Sequence, residues 1–437
     1  MNLNGAKVVV VGMARSGVAA VELLLAKGAR VRALDQKPVA IPNLRVKVEL
    51  QEPSGFTDAD LIVLSPGVPA DLPEVEQARW RGIRVIGDLE LASWYLQGGV
   101  IGITGSNGKT TTTALTGHIL GAAKVPSQVG GNIGRPPASM VATSSANQWN
   151  VLELSSFQLE TTDTFRAHIG AALNVTPDHL DRHYTLENYI AAKGKLFARQ
   201  QSGDFRVLNA EDQATRSYAS VGAGTTRWFS SLREASPGAW LRGTELMLNG
   251  EPFMDAAEVP LRGLHNLENT MAAAILASLA GAKPAEIRAA IRSFPGVEHR
   301  LEFVQRLDGV DWYNDSKATN VDATLKALAA FPGNLWVILG GKDKNSDYTP
   351  LAGPLREKAK AALLIGAAAP KIAEQLRGAL ELVPCETLEN AIHLARYRSR
   401  QGDSVVLAPA CASFDQFDNF EHRGREFKRL VRELQNG

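Results

Sequence analysis

The sharpest chemical signal in the sequence is a glycine-rich loop that ends in a lysine and a hydroxyl. It reads Gly102-Ile103-Thr104-Gly105-Ser106-Asn107-Gly108-Lys109-Thr110, between an apolar run at 100–104 and a threonine-rich stretch typical of a helix start. Glycines let backbone N–H groups approach phosphate oxygens, while Lys109 offers charge to β- and γ-phosphates and Thr110 offers a hydroxyl to Mg²⁺. Strict P-loop spacing needs glycine at Ile103, so the match is to a variant. The loop predicts a nucleoside triphosphate site; a plain turn with an exposed lysine is the alternative.

A second glycine-rich turn lies near the start of the chain. Gly12-Met13-Ala14-Arg15-Ser16-Gly17 follows a valine run, and Asp35 stands 23 residues after Gly12. This pattern fits a dinucleotide fingerprint with alanine at its second glycine position. Three interpretations fit this pattern. The turn could bind a nicotinamide cofactor, it could bind another nucleotide diphosphate, or it could bind nothing, with Asp35 only capping it. Arg15 favours an anionic ligand.

Two further polar segments follow β-like runs in the middle of the chain. They read Glu153-Leu154-Ser155-Ser156 and Asn174-Val175-Thr176-Pro177-Asp178-His179. If both runs belong to the sheet that carries the P-loop, Glu153 and His179 lie at its carboxyl edge, where α/β sheets bind ligands. Glu153 has the chemistry of a Mg²⁺ ligand. His179 is open between a ligand and a structural role.

Two loop-like segments near the carboxyl end concentrate small, polar and cationic residues. They cover 314–320 and 408–417. Composition alone favours solvated connections for both. Cys411 has no obvious base near it in the sequence, which gives little support to a nucleophilic role.

The elements that position these segments alternate short β-branched runs with helical periodicity. Apolar runs at 8–11, 31–34, 61–64, 151–154, 171–175, 335–339 and 404–407 predict parallel strands, and an Ala/Leu-rich helix is predicted after His265. A chain of 437 residues exceeds what one core supports. We expect an α/β protein with three domains: a Rossmann-like domain at 1–96, a P-loop ATPase-type domain with a mostly parallel sheet at 97–294, and a Rossmann-like domain at 295–437.

Composition and charge exclude several classes of protein. Lysine and arginine number 47 against 46 acidic residues, so no bulk field draws the chain to nucleic acid or an anionic membrane. Two cysteines exclude a disulfide scaffold and favour the cytoplasm. The valine run at 8–11 is too short for a signal peptide, and no apolar stretch of about 18 residues follows. We expect a soluble cytoplasmic protein with no membrane insertion and no nucleic-acid partner.

Taken in chain order, these segments resemble the Mur ligase family, the ATP-dependent amide ligases that build the peptide of bacterial peptidoglycan. Residues 104–110 match the P-loop variant of that family, which accounts for Ile103. The likeness extends over nearly the whole chain, through Gly130-Gly131-Asn132-Ile133-Gly134, the Glu153 segment, 174–182, Ala191-Ala192-Lys193, His265-Asn266 and His299-Arg300.

The resemblance implies a reaction and a set of site residues. ATP phosphorylates the carboxylate of UDP-N-acetylmuramoyl-L-alanine, and the amine of D-glutamate attacks the acyl phosphate. A Mur-type ligase for another amino acid, a nicotinamide-dependent oxidoreductase, and an ATP-gated binding module without turnover are the alternatives. The implied ATP residues are Gly105, Ser106, Asn107, Gly108, Lys109, Thr110, Thr111, Asn269, Arg300 and Asp315. The implied UDP-substrate residues are Arg15, Ser16, Asp35, Gly67, Asn132, Ser155 and Gln158, with His179 reaching toward the same substrate. The implied D-glutamate residues are Lys317, Thr319, Lys344, Ser413 and Phe420. The Lys342-Asp343-Lys344 spacing leaves open which of the two lysines meets the D-glutamate carboxylate.

The resemblance also gives a special role to Lys193. It matches the lysine that many Mur ligases carbamylate with CO₂, which turns an ammonium into a carboxylate-like Mg²⁺ ligand. Carbamylation needs the neutral amine, so the site must lower the lysine pKa. The resemblance implies two Mg²⁺ ions, with Thr110, Glu153, His179 and Lys193 as the metal ligands. The implied catalytic residues are Lys109, Glu153, His179 and Lys193. A monomer is expected.

We predict that Lys109→Ala abolishes turnover and leaves the fold intact. The substitution removes the charge beside the transferring phosphoryl group, an interaction worth about 3–4 kcal/mol in comparable sites. ADP release by the purified variant, with its circular dichroism as the folding control, is the measurement. Near-normal ADP release would contradict the P-loop assignment.

Overall fold

The strands form three separate sheets that are wholly or mostly parallel. The computed structural model describes residues 3–37, 40–42 and 44–435. Two sheets lie in one compact unit, formed by residues up to 260 with 265–294, and the third lies in a unit formed by 261–264 with residues from 295 onward. The expected α/β architecture is confirmed, while the domain limits at 96 and 294 stay a prediction.

The first sheet holds five parallel strands. They are β1 (Lys7–Val11), β2 (Arg30–Asp35), β3 (Val48–Leu50), β4 (Leu61–Leu64) and β5 (Arg84–Gly87). Around them lie α1 (Arg15–Ala26), α2 (Pro73–Trp80), α3 (Asp88–Ser93) and a 3₁₀ turn at Pro53–Phe56. The order is β3-β2-β1-β4-β5, so the chain reverses direction across the sheet between β1 and β4. Both strands are almost entirely buried, and the loops at their carboxyl ends open a crevice at this switch point.

The second sheet holds nine strands. They are β6 (Gly99–Thr104), β7 (Ser127–Gly131), β8 (Trp149–Glu153), β9 (Ile169–Ala172), β10 (Phe205–Asn209), β11 (Thr225–Ser230), β12 (Gly238–Arg242), β13 (Glu245–Leu248) and β14 (Glu251–Asp255). Their order is β14-β13-β12-β11-β10-β9-β6-β8-β7, and only β13 and β14 run antiparallel to their neighbours. The P-loop strand β6 therefore lies between β8 and β9, which places the ends of all three strands together.

Eight helices accompany the second sheet in the described part of the chain. They are α4 (Lys109–Ala122), α5 (Pro137–Met140), α6 (Ser156–Glu160), α7 (Leu180–His183), α8 (Leu186–Ala198), α9 (Gln213–Ser217), α10 (Leu264–Leu279) and α11 (Pro284–Arg292). Short 3₁₀ turns lie at Val141–Thr143, Tyr218–Ser220 and Ala256–Glu258. The predicted strand at 171–175 is too long: β9 ends at Ala172, because Asn174 leaves the sheet and bonds the P-loop backbone. Likewise β8 ends at Glu153 rather than at Leu154.

The third sheet belongs to the second unit. Its strands are β15 (Glu302–Leu307), β16 (Val310–Asn314), β17 (Leu335–Gly340), β18 (Ala359–Ile365), β19 (Glu381–Glu386) and β20 (Ser404–Leu407), in the order β15-β16-β20-β17-β18-β19. Only β15 is antiparallel. The helices are α12 (Val321–Ala329), α13 (Ala352–Lys358), α14 (Ala369–Gln375), α15 (Leu388–Arg398) and α16 (Phe420–Glu433), with a 3₁₀ turn at Thr349–Leu351. Over the residues that the structure describes, no helix combines the length and the apolar character that crossing a membrane requires.

A buried carboxylate joins the first sheet's last helix to the second sheet's loops. Glu90 in α3 has a fully buried side chain. Its oxygens accept from the backbone N–H groups of residues 163–165 at 2.9–3.0 Å, from the Thr164 hydroxyl and from the Trp94 indole at 3.0 Å. Burial alone would raise the pKa of Glu90, but these hydrogen bonds outweigh it and hold the pKa below its ordinary value. The carboxylate therefore fixes the junction in its ionised form.

We predict that Glu90→Gln lowers the free energy of unfolding by about 2–3 kcal/mol, because an amide NH₂ would face backbone donors. The folded-state pKa lies below the unfolded one, so the contribution is complete above the unfolded pKa of about 4.3 and fades as the pH falls below it. Urea unfolding at pH 7 and at pH 3 measures both effects. Glu22→Gln, at an exposed position of α1, is the control and should change little. An equal deficit of Glu90→Gln at both pH values would contradict the ionised junction.

Candidate functional site

The glycine-rich loop between β6 and α4 is anchored by the segment that follows β9. Asn174 accepts from the Asn107 N–H at 2.8 Å and donates to the Asn107 carbonyl at 3.2 Å. The Ser106 N–H donates to the Asn174 carbonyl at 2.8 Å, and the Ser106 hydroxyl lies 3.2 Å from the Tyr189 hydroxyl. Gly108 adopts a left-handed φ of 83° directly before α4. The loop thus has a fixed shape at a helix N-terminus, where phosphate binds well.

Two lysines meet at one carbonyl oxygen of this loop. Lys109 Nζ donates to the Gly105 carbonyl at 2.8 Å and to the Ser106 carbonyl at 3.0 Å. Lys193 Nζ, from the middle of α8, donates to the same Gly105 oxygen at 3.0 Å. Lys193 is 1% exposed, and its Nζ lies 4.4 Å from the centre of the Tyr189 ring. Burial first, and then the charge of Lys109, lower the pKa of Lys193 well below its ordinary value. The site therefore favours the neutral amine that carbamylation requires.

One carboxylate oxygen of Glu153 is available to bind a cation. Its side chain is 2% exposed at the end of β8, and Oε1 accepts from Asn132 Nδ2 at 3.0 Å. Oε2 is buried and has no hydrogen-bond partner among the described residues. Such a carboxylate oxygen fits Mg²⁺. In the described part of the chain no cluster of three or more His, Cys, Asp or Glu could hold a metal. A Mg²⁺ ion here would take the rest of its shell from phosphate, water and a modified lysine.

His179 and the buried His183 occupy different surroundings. His179 is about half exposed, has a φ of 52° and packs edge-on against Phe157, with ring centres 4.8 Å apart. In the described structure it makes no hydrogen bond to Glu153 or Lys193. His183 lies 2.9 Å from the Ser156 hydroxyl through Nε2, and burial lowers its pKa. Sequence reasoning missed His183 and also Tyr189, although a tyrosine four residues before Lys193 falls on the same helix face.

A cavity of about 420 Å³ lies at the switch point of the first sheet. Its lining includes five of the seven residues predicted for the UDP substrate: Arg15, Ser16, Asp35, Gly67 and Asn132. Asp35 also accepts from the Met13 N–H at 2.6 Å, so it holds the opening turn as well as facing the cavity. Arg15 donates to the Gly134 carbonyl. This bond ties the opening turn to the loop after β7 and its neighbour Asn132.

Ser155 and Gln158 lie outside the described lining of this cavity. They form a capping box at the start of α6, in which the Gln158 N–H donates to the Ser155 hydroxyl at 3.2 Å and the Ser155 N–H to Gln158 Oε1 at 3.1 Å. Burial raises the pKa of Asp88 to about 6, against the opposing influence of Ser16 and Gln158. Asp88 therefore neighbours both Ser16, which lines the cavity, and Gln158, which caps α6. Sequence reasoning also missed Asp88.

Three residues outside the glycine-rich loop are predicted to contact ATP, and one of them, Asn269, lies beside that loop. Its Oδ1 accepts from the Thr112 hydroxyl at 3.3 Å and would lie 2.2 Å from a Cβ on Gly108. Arg300 and Asp315 lie in the second unit, as neighbours. Burial raises the pKa of Asp315 to about 7, and the charge of Arg300 opposes that rise. The Asp315 carboxyl also accepts from the Leu301 N–H at 3.2 Å.

Four of the five residues predicted for D-glutamate lie on loops at the carboxyl ends of β16, β17 and β20, and the fifth, Phe420, is the first residue of α16. Lys317 Nζ stands 4.1 Å from the centre of the Phe420 ring, and Ser413 is 1% exposed. Lys344 is exposed, next to Asp343, which accepts from Lys371 Nζ and from the Tyr348 hydroxyl, both at 2.8 Å. Thr319 is half-buried, and its N–H donates to the Lys317 carbonyl at 2.8 Å.

Cys411 lies among these loops but is a poor nucleophile. Its Sγ is 3.0 Å from the Tyr348 hydroxyl. The side chain is 1% exposed, and burial raises the pKa of the thiol to about 11. The thiol is therefore protonated at neutral pH, in line with its lack of a base in the sequence.

Comparison with known proteins agrees with this arrangement. Residues 6–87 match the family model of the Mur ligase MurD-like N-terminal domain, 103–277 that of the Mur ligase middle domain, and 299–411 that of the Mur ligase glutamate ligase domain. The UDP-N-acetylmuramoylalanine–D-glutamate ligase of Solibacter usitatus is 60% identical, over 100% of this chain and 99% of that protein. The protein of the same name from Koribacter versatilis is 48% identical, over 99% of both chains.

The fold is also that of solved structures in this group. The UDP-N-acetylmuramate-alanine ligase MurC from Thermotoga maritima superposes with a TM-score of 0.64 at 19% identity, over 99% of each chain. The chain belongs to the Mur ligase family, whose members are ATP-dependent amide ligases. The expectation drawn from the P-loop variant is confirmed over that of a nicotinamide-dependent oxidoreductase.

We predict that Gly108→Ala raises the KM for ATP at least tenfold. A methyl group at this position would lie 2.2 Å from Asn269 Oδ1, on a backbone with a φ of 83° that alanine tolerates poorly. Gly121→Ala, in the same helix with nothing within 4 Å of the new Cβ, is the matched control and should keep wild-type kinetics. Steady-state kinetics on both variants are the measurement. Equal KM values would mean that the loop shape does not govern ATP binding.

Proposed function

We propose that this chain joins D-glutamate to UDP-N-acetylmuramoyl-L-alanine at the cost of ATP, with release of ADP and phosphate, in peptidoglycan precursor synthesis. The observation that carries the proposal is the 60% identity, over the full length, with a relative named for that activity. A structural argument supports it. The P-loop and a buried carboxylate oxygen without a hydrogen-bond partner lie at neighbouring strand ends of one sheet, and Lys193, whose pKa is lowered by burial, donates to the P-loop carbonyl of Gly105.

The residues around the P-loop account for the activation of a carboxylate. A carboxylate is a poor electrophile until one oxygen becomes a leaving group, and phosphorylation provides it. Transfer of the γ-phosphoryl group between two anions needs positioning and charge neutralisation. Backbone N–H groups of 105–108 and of the first turn of α4, which contains Thr111, orient the phosphates, and Lys109 offsets their charge. Asn269, Arg300 and Asp315 complete the proposed ATP contacts.

Mg²⁺ would be held by Thr110, Glu153, His179 and carbamylated Lys193, in two sites. When bound, the ions neutralise phosphate charge and align the attacking carboxylate with the γ-phosphoryl group. Glu153 brings a buried oxygen without a hydrogen-bond partner, and Lys193 brings an amine whose pKa is lowered by burial, which favours the neutral form that reacts with CO₂. His179 would have to turn from its packing against Phe157 to take part.

The two remaining substrates follow from the cavity and the carboxyl-terminal loops. Arg15, Ser16, Asp35 and Gly67 would hold the uridine nucleotide, while Asn132, Ser155 and Gln158 would reach the muramoyl-alanine part. Lys317, Thr319, Lys344, Ser413 and Phe420 would hold D-glutamate. The proposal includes the domain limits 1–96, 97–294 and 295–437, a monomer, and a cytoplasmic location.

A panel of amino acids tests the proposal. Purified protein with ATP, Mg²⁺ and UDP-N-acetylmuramoyl-L-alanine is expected to release phosphate with D-glutamate and not with L-glutamate, L-alanine or meso-diaminopimelate. Omission of the UDP substrate should stop release. Turnover with a different amino acid would replace the proposed substrate, and NADH oxidation without phosphate release would overturn the ligase assignment.

We predict that Lys193→Ala is nearly inactive and that millimolar acetate or formate restores part of the activity. A small carboxylate can enter the cavity left by the side chain and place an anionic oxygen near Mg²⁺. If Lys193 acts as a cation, small amines restore activity and carboxylates do not. Lys195→Ala, an exposed neighbour on α8, is the control and should keep near-normal activity. Full activity of Lys193→Ala would contradict both roles.

A further inference from the structure

A fully buried arginine stands at the centre of the second unit's loops. Arg423, in α16, is 0% exposed. A guanidinium taken out of water is costly unless its donors are satisfied. No carboxylate of the described residues pairs with it. Its acceptors are neutral: Nε donates to the Ser316 hydroxyl at 2.9 Å, Nη2 to the Ser316 carbonyl at 2.8 Å, and Nη1 to the carbonyls of Cys411 and Ala412 at 3.2 and 3.3 Å.

These acceptors lie beside the residues proposed to bind D-glutamate. Ser316 precedes Lys317, and Ala412 precedes Ser413. The Ser316 hydroxyl donates in turn to the Phe420 carbonyl at 2.8 Å.

A third loop comes close at Gly341, three residues before Lys344. A Cβ on Gly341 would lie 2.2 Å from the Ala412 carbonyl oxygen and 3.2 Å from Arg423 Nη1, so a glycine is needed where this loop meets the Ala412 carbonyl beside the guanidinium. The guanidinium therefore bonds two loops directly. The third loop is joined to them through the Ala412 backbone, whose carbonyl accepts from the Lys342 N–H at 2.9 Å.

The charge of Arg423 is kept despite its burial. Desolvation lowers the pKa of Arg423 to about 10, which leaves it protonated at neutral pH. Asp415 and the Cys411 thiol act on it electrostatically without a hydrogen bond. The loops around it thus enclose a positive charge that the protein does not neutralise by direct pairing, and a dicarboxylic amino acid brings the opposite charge.

We propose that Arg423 is the positioning and selectivity residue of the amino-acid site: it holds the loops of Lys317, Ser413 and Lys344 together and favours an amino acid with a second carboxylate. This inference rests on the proposed function. A role in stability alone would predict equal effects on all substrates.

Two substitutions separate geometry from charge. Arg423→Lys keeps the charge and loses the planar fork, whereas Arg423→Gln keeps some hydrogen bonds and loses the charge. Both should raise the KM for D-glutamate about tenfold or more, the size expected for lost charge-assisted hydrogen bonds, and leave the KM for ATP within about twofold. The preference for D-glutamate over D-glutamine should persist in Arg423→Lys and fall in Arg423→Gln. Arg425→Gln, exposed on the same helix, is the control and should behave as wild type.

The outcomes decide between the two proposals. A wild-type protein that releases no phosphate with D-glutamate overturns the proposed function. An active wild type with folded Arg423 variants whose D-glutamate KM is unchanged, or whose ATP KM rises equally, overturns only the role of Arg423. If neither variant folds, Ser316→Ala decides, since it removes one acceptor of the guanidinium. It should raise the D-glutamate KM several-fold, and an unchanged value overturns the inference.

Discussion

Two ammonium groups cannot share one buried carbonyl oxygen without a consequence for their charge. Lys109 and Lys193 both donate to the Gly105 carbonyl, at 2.8 and 3.0 Å. Lys109 is half-buried, whereas Lys193 is almost wholly enclosed. The cost of the second charge therefore falls on Lys193, which is deprotonated more easily than a lysine in water. The chemistry proposed for Lys193 depends on its burial first and on the nearby charge of Lys109 second, and the meeting of the two lysines depends on a loop held in one shape.

The parallel sheet provides that shape. Strands β6, β8 and β9 are neighbours, so the P-loop, Glu153 and the Asn174 segment emerge at the same edge. Asn174 and Ser106 then pair the two loops through three hydrogen bonds of 2.8–3.2 Å. Glu90 performs a similar function between the first two sheets, where one carboxylate collects the backbone donors of 163–165. In each place a polar group completes the backbone bonds that a strand end leaves open.

Buried cations serve opposite purposes in the two units. In the first unit, burial lowers the pKa of Lys193 and so favours the neutral amine, the form that can be modified. In the second, Arg423 stays charged under comparable burial, because a guanidinium has a far higher intrinsic pKa and its donors find acceptors. The residue type thus decides whether burial yields a reactive group or a permanent charge. The carbonyl groups of Cys411 and Ala412 accept hydrogen bonds from the guanidinium, and these bonds offset part of the desolvation penalty of the buried charge.

The class of fold, the P-loop and most of the strands could be predicted from the sequence. Their signals are local: apolar runs mark strands buried on both faces, and glycine spacing marks a phosphate loop. It also named Lys193, through its likeness to a family. Tertiary structure alone decided that Lys193 meets Lys109 at one carbonyl, that Glu153 keeps an oxygen without a partner, and that His183, Asp88 and Arg423 are buried. It also ended β9 at Ala172, because Asn174 is needed by a loop 67 residues away. Burial and pairing across such separations arise only when the sheets pack, so spacing along the chain carries no trace of them.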